Sequence, residues 1–164
     1  MLAGMEILEI RQTLASQLRR SRAHAGLSSA LANFPETLAG DHAPGHAHTA
    51  WQLVEHMRLA ADDLLSYCRD PDYVERGFPD GYWPGDSAPP SATAWSESCR
   101  RLQQATEQMA SLVENAEHDL YATVPTGQKP EHHTLRAALI LLDHNGYHAA
   151  QLIALRQALA AWPP

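Results

Sequence analysis

The sequence predicts an all-α protein, a four-helix bundle with long connecting loops, as a single domain over residues 1–164. Three observations carry that reading. Apolar residues recur at spacings of three and four in several segments, the period of a helix with one buried face. No segment alternates apolar and polar residues for long, as a half-buried strand would. The periodic segments are separated by stretches rich in Pro, Gly, Asp and Ser, which stop helices. With 45% hydrophobic and 19% charged residues, the 164-residue chain can fill one core and carries too little charge to stay disordered.

The first helix is expected from about Gly4 to His24, with Ile7, Ile10, Leu14 and Leu18 at helical spacing. The second begins at Thr49, where "TAWQ" is a capping box: Thr49 caps while Gln52 reaches back. It continues to about Cys68, with Leu53, Met57, Ala60, Leu64 and Cys68 along one face, and Asp70-Pro71 ends it. The third follows "APPS", with Ser91 as cap, and covers Ala92 to about Ala116 with Leu102, Ala105, Met109 and Leu112 inward. The fourth takes Thr134 as cap, runs from Leu135 to about Ala161 and stops at Trp162-Pro163-Pro164.

Two of the connections stand out as longer than a bundle needs, where 2 to 8 residues is usual. "AGLSSALANFPETLAGDHAPGHAH" has room for a short helix near Leu27 to Asn33. "DPDYVERGFPDGYWPGDSAPP" is rich in Pro, Gly and aromatics, so it either serves function or covers a bundle end.

The fourth helix contains Asn145-Gly146, a strong turn signal. The apolar stripe passes through it without losing phase. Ala137, Leu141, His144, Leu152, Leu155 and Leu159 all fall within about 40° of His148 on a helical wheel. The helix is therefore expected to be continuous, with Gly146 costing about 1 kcal/mol relative to Ala. Gly146 lies about 160° from His148, so close packing of another helix on that outer face is expected, from this chain or a second subunit.

His144 and His148 then sit one above the other on the core stripe, at the i, i+4 spacing with which helices place two imidazoles on one metal. Asn145 stands where the HExxH motif has Glu, which excludes a zincin. Spacing alone leaves two readings, a metal pair or two hydrogen-bonded histidines at the bundle rim. A site also needs a third ligand. His56 lies at the edge of the second helix's apolar face; Glu55 is rotated about 100° away toward solvent, and Asp63 is two turns on, roughly 10 Å along the axis.

"TAWQLVEH" in one helix, "GYWP" and "APPSATAWSES" in the middle and "DHNGYHAAQLIALRQ" near the end resemble the DinB/YfiT-like family over nearly the whole chain. The resemblance implies a four-helix bundle with a divalent metal, often zinc or nickel, with iron or manganese as further options. It implies three histidine ligands, which map to His56, His144 and His148, and frequent homodimers. Some relatives are thiol-dependent transferases or isomerases acting with glutathione, mycothiol or bacillithiol.

Three imidazoles leave a divalent ion open to water or substrate, unlike structural zinc closed by four protein ligands. Gln52 and Gln151 lie about one turn from His56 and His148 and could orient them. Tyr82 and Trp83 could wall the pocket or plug it. "DHAPGHAH", with Asp41, His42, His46 and His48, is a competing metal loop; His24, His118, His132 and His133 read as surface residues. No general base can be named, so the catalytic residues are unknown.

The remaining exclusions follow from composition. A net charge of −7 with no basic run argues against nucleic acid. No apolar run is long enough to span a bilayer, and "MLAGMEILEI" lacks the form of a signal peptide, so cytoplasm is the expected location. Cys68 and Cys99 read as buried small apolar residues. The expected function is a metal-dependent enzyme, a thiol S-transferase or hydrolase acting on a small molecule. The alternatives are a non-catalytic metal- or small-molecule-binding stress-response protein and a plain bundle with structural histidines.

Overall fold

The computed structural model describes residues 2–162, with side chains from residue 6 onward. Four long helices pack together: α1 (Leu2–Arg19), α3 (Ala50–Arg69), α4 (Ala94–Glu114) and α5 (Thr134–Ala158); α2 (Leu27–Leu31) is a single short turn. Among the described residues there is no strand, only an isolated antiparallel bridge between Thr123 and His133. No described helix is long and apolar enough to cross a membrane.

α3 begins as the capping box requires. Thr49 Oγ1 accepts from the Gln52 amide at 3.2 Å, and Gln52 Oε1 accepts from the Thr49 amide at 3.1 Å. Thr49 Oγ1 also donates to the Ser87 carbonyl at 2.6 Å, which ties the end of the second long connection to the start of α3. α4 starts two residues later than expected, and its N-cap, Thr93 rather than Ser91, makes no side-chain capping bond. α5 is capped by His133, whose Nδ1 accepts from the Arg136 amide at 3.2 Å. Thr134 is already helical, and its hydroxyl is spent on His118 Nε2 at 2.8 Å.

Helix directions explain the second long connection. Glu55 meets Ser98, Asp62 meets Arg101 and Arg69 meets Gln108, so α3 and α4 run parallel. After α3 the chain must travel back its full length, about 30 Å for twenty residues, before α4 can begin. Residues 70–93 make that return along the side of α3. α5 runs antiparallel to α3, with His144 against His56. α1 runs antiparallel to α4: Arg11 donates to the carbonyls of Val113, Asn115 and His118 at 2.7–2.9 Å, and Arg19 pairs with Glu107.

The core is filled by Leu53, Val54 and Met57 of α3, Leu102, Met109 and Val113 of α4 and Leu141, Leu152 and Leu155 of α5, all at most 2% exposed. In α1 the expectation holds for Leu14 and Leu18 but not for Ile7 and Ile10, which are 40% and 43% exposed. The bundle has ended at that level: Arg11 already caps the last turn of α4, and Ile7 and Ile10 lie beyond it. α1 also stops at Arg19, five residues short of His24. The other half of its place is taken by α2 and the segment after it, where Phe34 packs on Trp95 at 4.7 Å. There Arg156 of α5, 1% exposed, donates to the carbonyls of Ala30 and Ala32.

α5 is continuous through Asn145-Gly146. Its buried arc also takes in Ala138, Asn145, Ala149 and Arg156, so it is centred somewhat away from the histidines. Apart from the backbone of its own helix and its chain neighbours, no atom of the described residues lies within 4 Å of where a Gly146 Cβ would stand, so the expected close approach of another helix does not come from the described residues.

Candidate metal centre

His56 stands on the second turn of α3, and His144 and His148 on successive turns of α5. Because the two helices are antiparallel neighbours, the three rings converge, with one nitrogen from each within 4.8 Å of the others. They are the only group of three or more His, Cys, Asp or Glu among the described residues that is arranged to hold an ion. His56 and His148 are 9% and 7% exposed, and His144 is half-buried.

Two of the rings are held in the orientation a metal needs. His56 Nδ1 donates to the Tyr82 carbonyl at 2.8 Å; a carbonyl can only accept, so this ring is the Nδ1–H tautomer with its Nε2 lone pair facing the cluster. His148 Nδ1 donates to Gln151 Oε1 at 2.7 Å, which leaves its Nε2 free in the same way. His144 Nε2 lies 3.0 Å from His56 Nε2, and its Nδ1 is buried without a partner. Two nitrogens on one tetrahedral zinc stand roughly 3.3 Å apart for bonds of about 2.0–2.1 Å, so the pair fits an ion after a slight opening.

All three imidazoles are biased toward the neutral, ligating form. Burial pushes His144 down to about 4, helped by the neighbouring His148 and His56. Burial also lowers His148, opposed by its bond to Gln151, and lowers His56, opposed by the Tyr82 carbonyl. Desolvation thus dominates in each ring.

The returning connection covers the site. Trp83 lies flat on His56, ring centroids 3.8 Å apart and planes 3° from parallel, and also stacks with His48 at 4.2 Å. Tyr82 contributes its carbonyl to His56 and sends its hydroxyl to Asp63 Oδ2 at 2.8 Å. The loop is therefore part of the site's wall rather than a remote plug.

Gln151 orients His148 as its position suggests, but Gln52 is spent on the capping box and does not orient His56. Glu55 does not face solvent. It is half-buried, pairs with Arg58 and accepts from Ser98 at 2.7 Å, which holds its carboxyl below the usual range against the opposing effect of burial. Asp63 is buried and apart from the three rings. Asp41, His42, His46 and His48 form no metal-holding group. His118 and His133 are not idle surface residues: one bonds Thr134 and the other caps α5. Cys68 is buried and Cys99 half-buried, and burial raises their thiols to about 11 and about 12.

Sequence reasoning missed the stack of Trp83 on His56 and the bond from Tyr82 to Asp63. One signal was present: a Tyr hydroxyl brought against a bundle needs a partner, and Asp63 was an acid on the His56 side of α3 without a role.

The family profile described as the DinB superfamily matches residues 17–152. The chain belongs to the DinB superfamily. The match takes in α3, α4 and all three histidines of this DinB chain, and leaves out most of α1 and the last turns of α5. No curated protein and no solved structure gives a match to it.

Proposed function

We propose that this DinB-superfamily chain is a metal-dependent enzyme in which His56, His144 and His148 hold one divalent ion, most simply zinc or nickel, with iron or manganese as options. The observation that carries the reading is the convergence of three imidazoles, two with Nδ1 already donated away and Nε2 left as a lone pair. Such an ion would act as a Lewis acid, lowering the pKa of a water or thiol held on it.

The chain's own residues set the conditions for that chemistry. The Tyr82 carbonyl and Gln151 hold two rings in register, and Trp83 keeps water from one face of His56. Among the described residues no Cys or carboxylate joins the cluster. The nucleophile therefore comes from outside the protein, which favours a low-molecular-weight thiol in an S-transfer, or water in a hydrolysis, with a small electrophile as substrate. The lack of a carboxylate to serve as general base is what favours the alternative, a non-catalytic metal- or small-molecule-binding protein. Association as a homodimer fits the exposed Ile7, Ile10, Leu139 and Ile140, and solution mass tests it.

The test is elemental mass spectrometry of untagged protein purified without added metal, beside a His144→Ala/His148→Ala variant. About one ion per chain in the parent and none in the variant is expected. Equal metal in both would move the site elsewhere, and no metal in either after reconstitution would leave a bundle with buried histidines. Turnover with thiol cosubstrates by the loaded parent, and not by the variant, separates enzyme from binding protein.

A further inference from the structure

Asp63 is buried at 8% exposure two turns along α3 from His56, yet it is no member of the histidine cluster. A carboxylate in that position needs donors. It receives them from the crossing connection: Tyr73 Oη at 3.2 and 3.1 Å on its two oxygens and Tyr82 Oη at 2.8 Å on Oδ2, with Arg76 Nε as an ion-pair partner 3.7 Å from Oδ1. The same Tyr82 that is held by its hydroxyl places its backbone carbonyl 2.8 Å from His56 Nδ1, and the next residue, Trp83, lies flat on the His56 ring. Within the loop, one turn, Asp80–Tyr82, is closed by the Gly81 amide on the Gly77 carbonyl at 2.7 Å and the Tyr82 amide on the Pro79 carbonyl at 3.0 Å, and the Tyr82 hydroxyl on Asp63 is the side-chain bond that fastens this turn to α3.

We infer that Asp63 is a positioning residue for His56: through the Tyr82 hydroxyl it anchors residues 73–83 so that the Tyr82 carbonyl selects the Nδ1–H tautomer and Trp83 sets the plane of the ring. The value of that tautomer as a ligand rests on the metal reading above; the positioning itself does not. A carboxylate two turns along the same helix thus governs which nitrogen of His56 faces the cluster, without touching the ring. It acts as an outer partner of a metal ligand, one link removed.

The experiment uses the full chain in two arms. In the metal-free protein, nitrogen-15 NMR of the imidazoles reads the tautomer of each histidine. His56 is expected as a single Nδ1–H form in the parent, and as a mixture with the Nε2–H form in Tyr82→Phe and Asp63→Asn. Tyr73→Phe takes a hydroxyl from the same carboxylate but leaves the Tyr82 link, and is expected to keep the parent signature. In the second arm, competition with a chelator measures zinc affinity, which is expected to fall about 10- to 100-fold in Tyr82→Phe and to stay near the parent in Tyr73→Phe.

An unchanged His56 tautomer in both Tyr82→Phe and Asp63→Asn would overturn the inference whatever happens to zinc. An equal tautomer change in Tyr73→Phe would overturn the assignment of Tyr82 as the link. A parent that holds no zinc would remove the metal reading while the NMR arm still decides the positioning. Tyr82→Phe keeps the ring and its packing, so its result stands even if Asp63→Asn does not fold.

Discussion

Acidifying the metal-free protein should destabilise it through His144 in a way that can be isolated. Its folded-state pKa is pushed down to about 4, chiefly by burial, against an ordinary value of 6.5. Above pH 6.5 both the folded and the unfolded forms carry neutral imidazole, so the group contributes nothing to the pH dependence. Between 6.5 and 4 the unfolded chain takes up a proton that the folded chain refuses, so stability falls as pH falls, and the loss levels off below about 4. At pH 5 the full shift corresponds to about 2 kcal/mol, and about 1–2 kcal/mol after allowing for the part of the ring that solvent reaches. His56 and His148 are shifted in the same direction and add to the loss. The assay is urea unfolding in chelator at pH 7 and pH 5, parent beside His144→Gln. Carboxylates titrate in both proteins and cancel in the difference. The parent should lose about 1–2 kcal/mol more than the variant on going to pH 5. Parallel losses would mean that His144 is not held in a desolvated, neutral state, and the account of the cluster's electrostatics would fail with it.

Two further outcomes test the frame around the site. Thr49→Ala removes both the acceptor of the capping box and the donor to Ser87, and should cost about 1–2 kcal/mol by thermal or urea unfolding; a loss under a few tenths would mean the cap is not made in solution. Gly146→Ala meets no described atom within 4 Å beyond its chain neighbours and the backbone of its own helix, so it should stabilise the chain by about 1 kcal/mol. A loss of stability that depends on protein concentration would instead place a second subunit against that face.

The legible parts of this protein were those written in periodicity. The stripe through Ala137, Leu141, His148, Leu152 and Leu155 carried α5 past Asn145-Gly146, and with it the meeting of His144 and His148 one turn apart. The Thr49–Gln52 box fixed the start of α3 within a residue, because both halves of the motif lie within one turn. Periodicity carries no direction, however, so the parallel run of α3 and α4 was hidden, and so was the reason for the 70–93 connection. It also says nothing about where neighbouring helices end, which is why Ile7 and Ile10 read as core. The Asp63–Tyr82–His56 chain spans two elements and uses a backbone carbonyl, which no spacing rule records.

The crossing connection has a consequence for how the chain reaches this structure. In an up-down bundle, successive helices meet across short turns and most contacts are local. Here Asp62 and Arg101 are 39 residues apart, His56 and His144 are 88, and Arg11 and Val113 are 102. Each pairing closes a large loop before any contact compensates the lost chain entropy. The molecule therefore joins more of its helices across long loops than an up-down bundle does, and should fold more slowly than one of equal length. The histidine cluster, joining α3 to the last helix, closes one of these large loops.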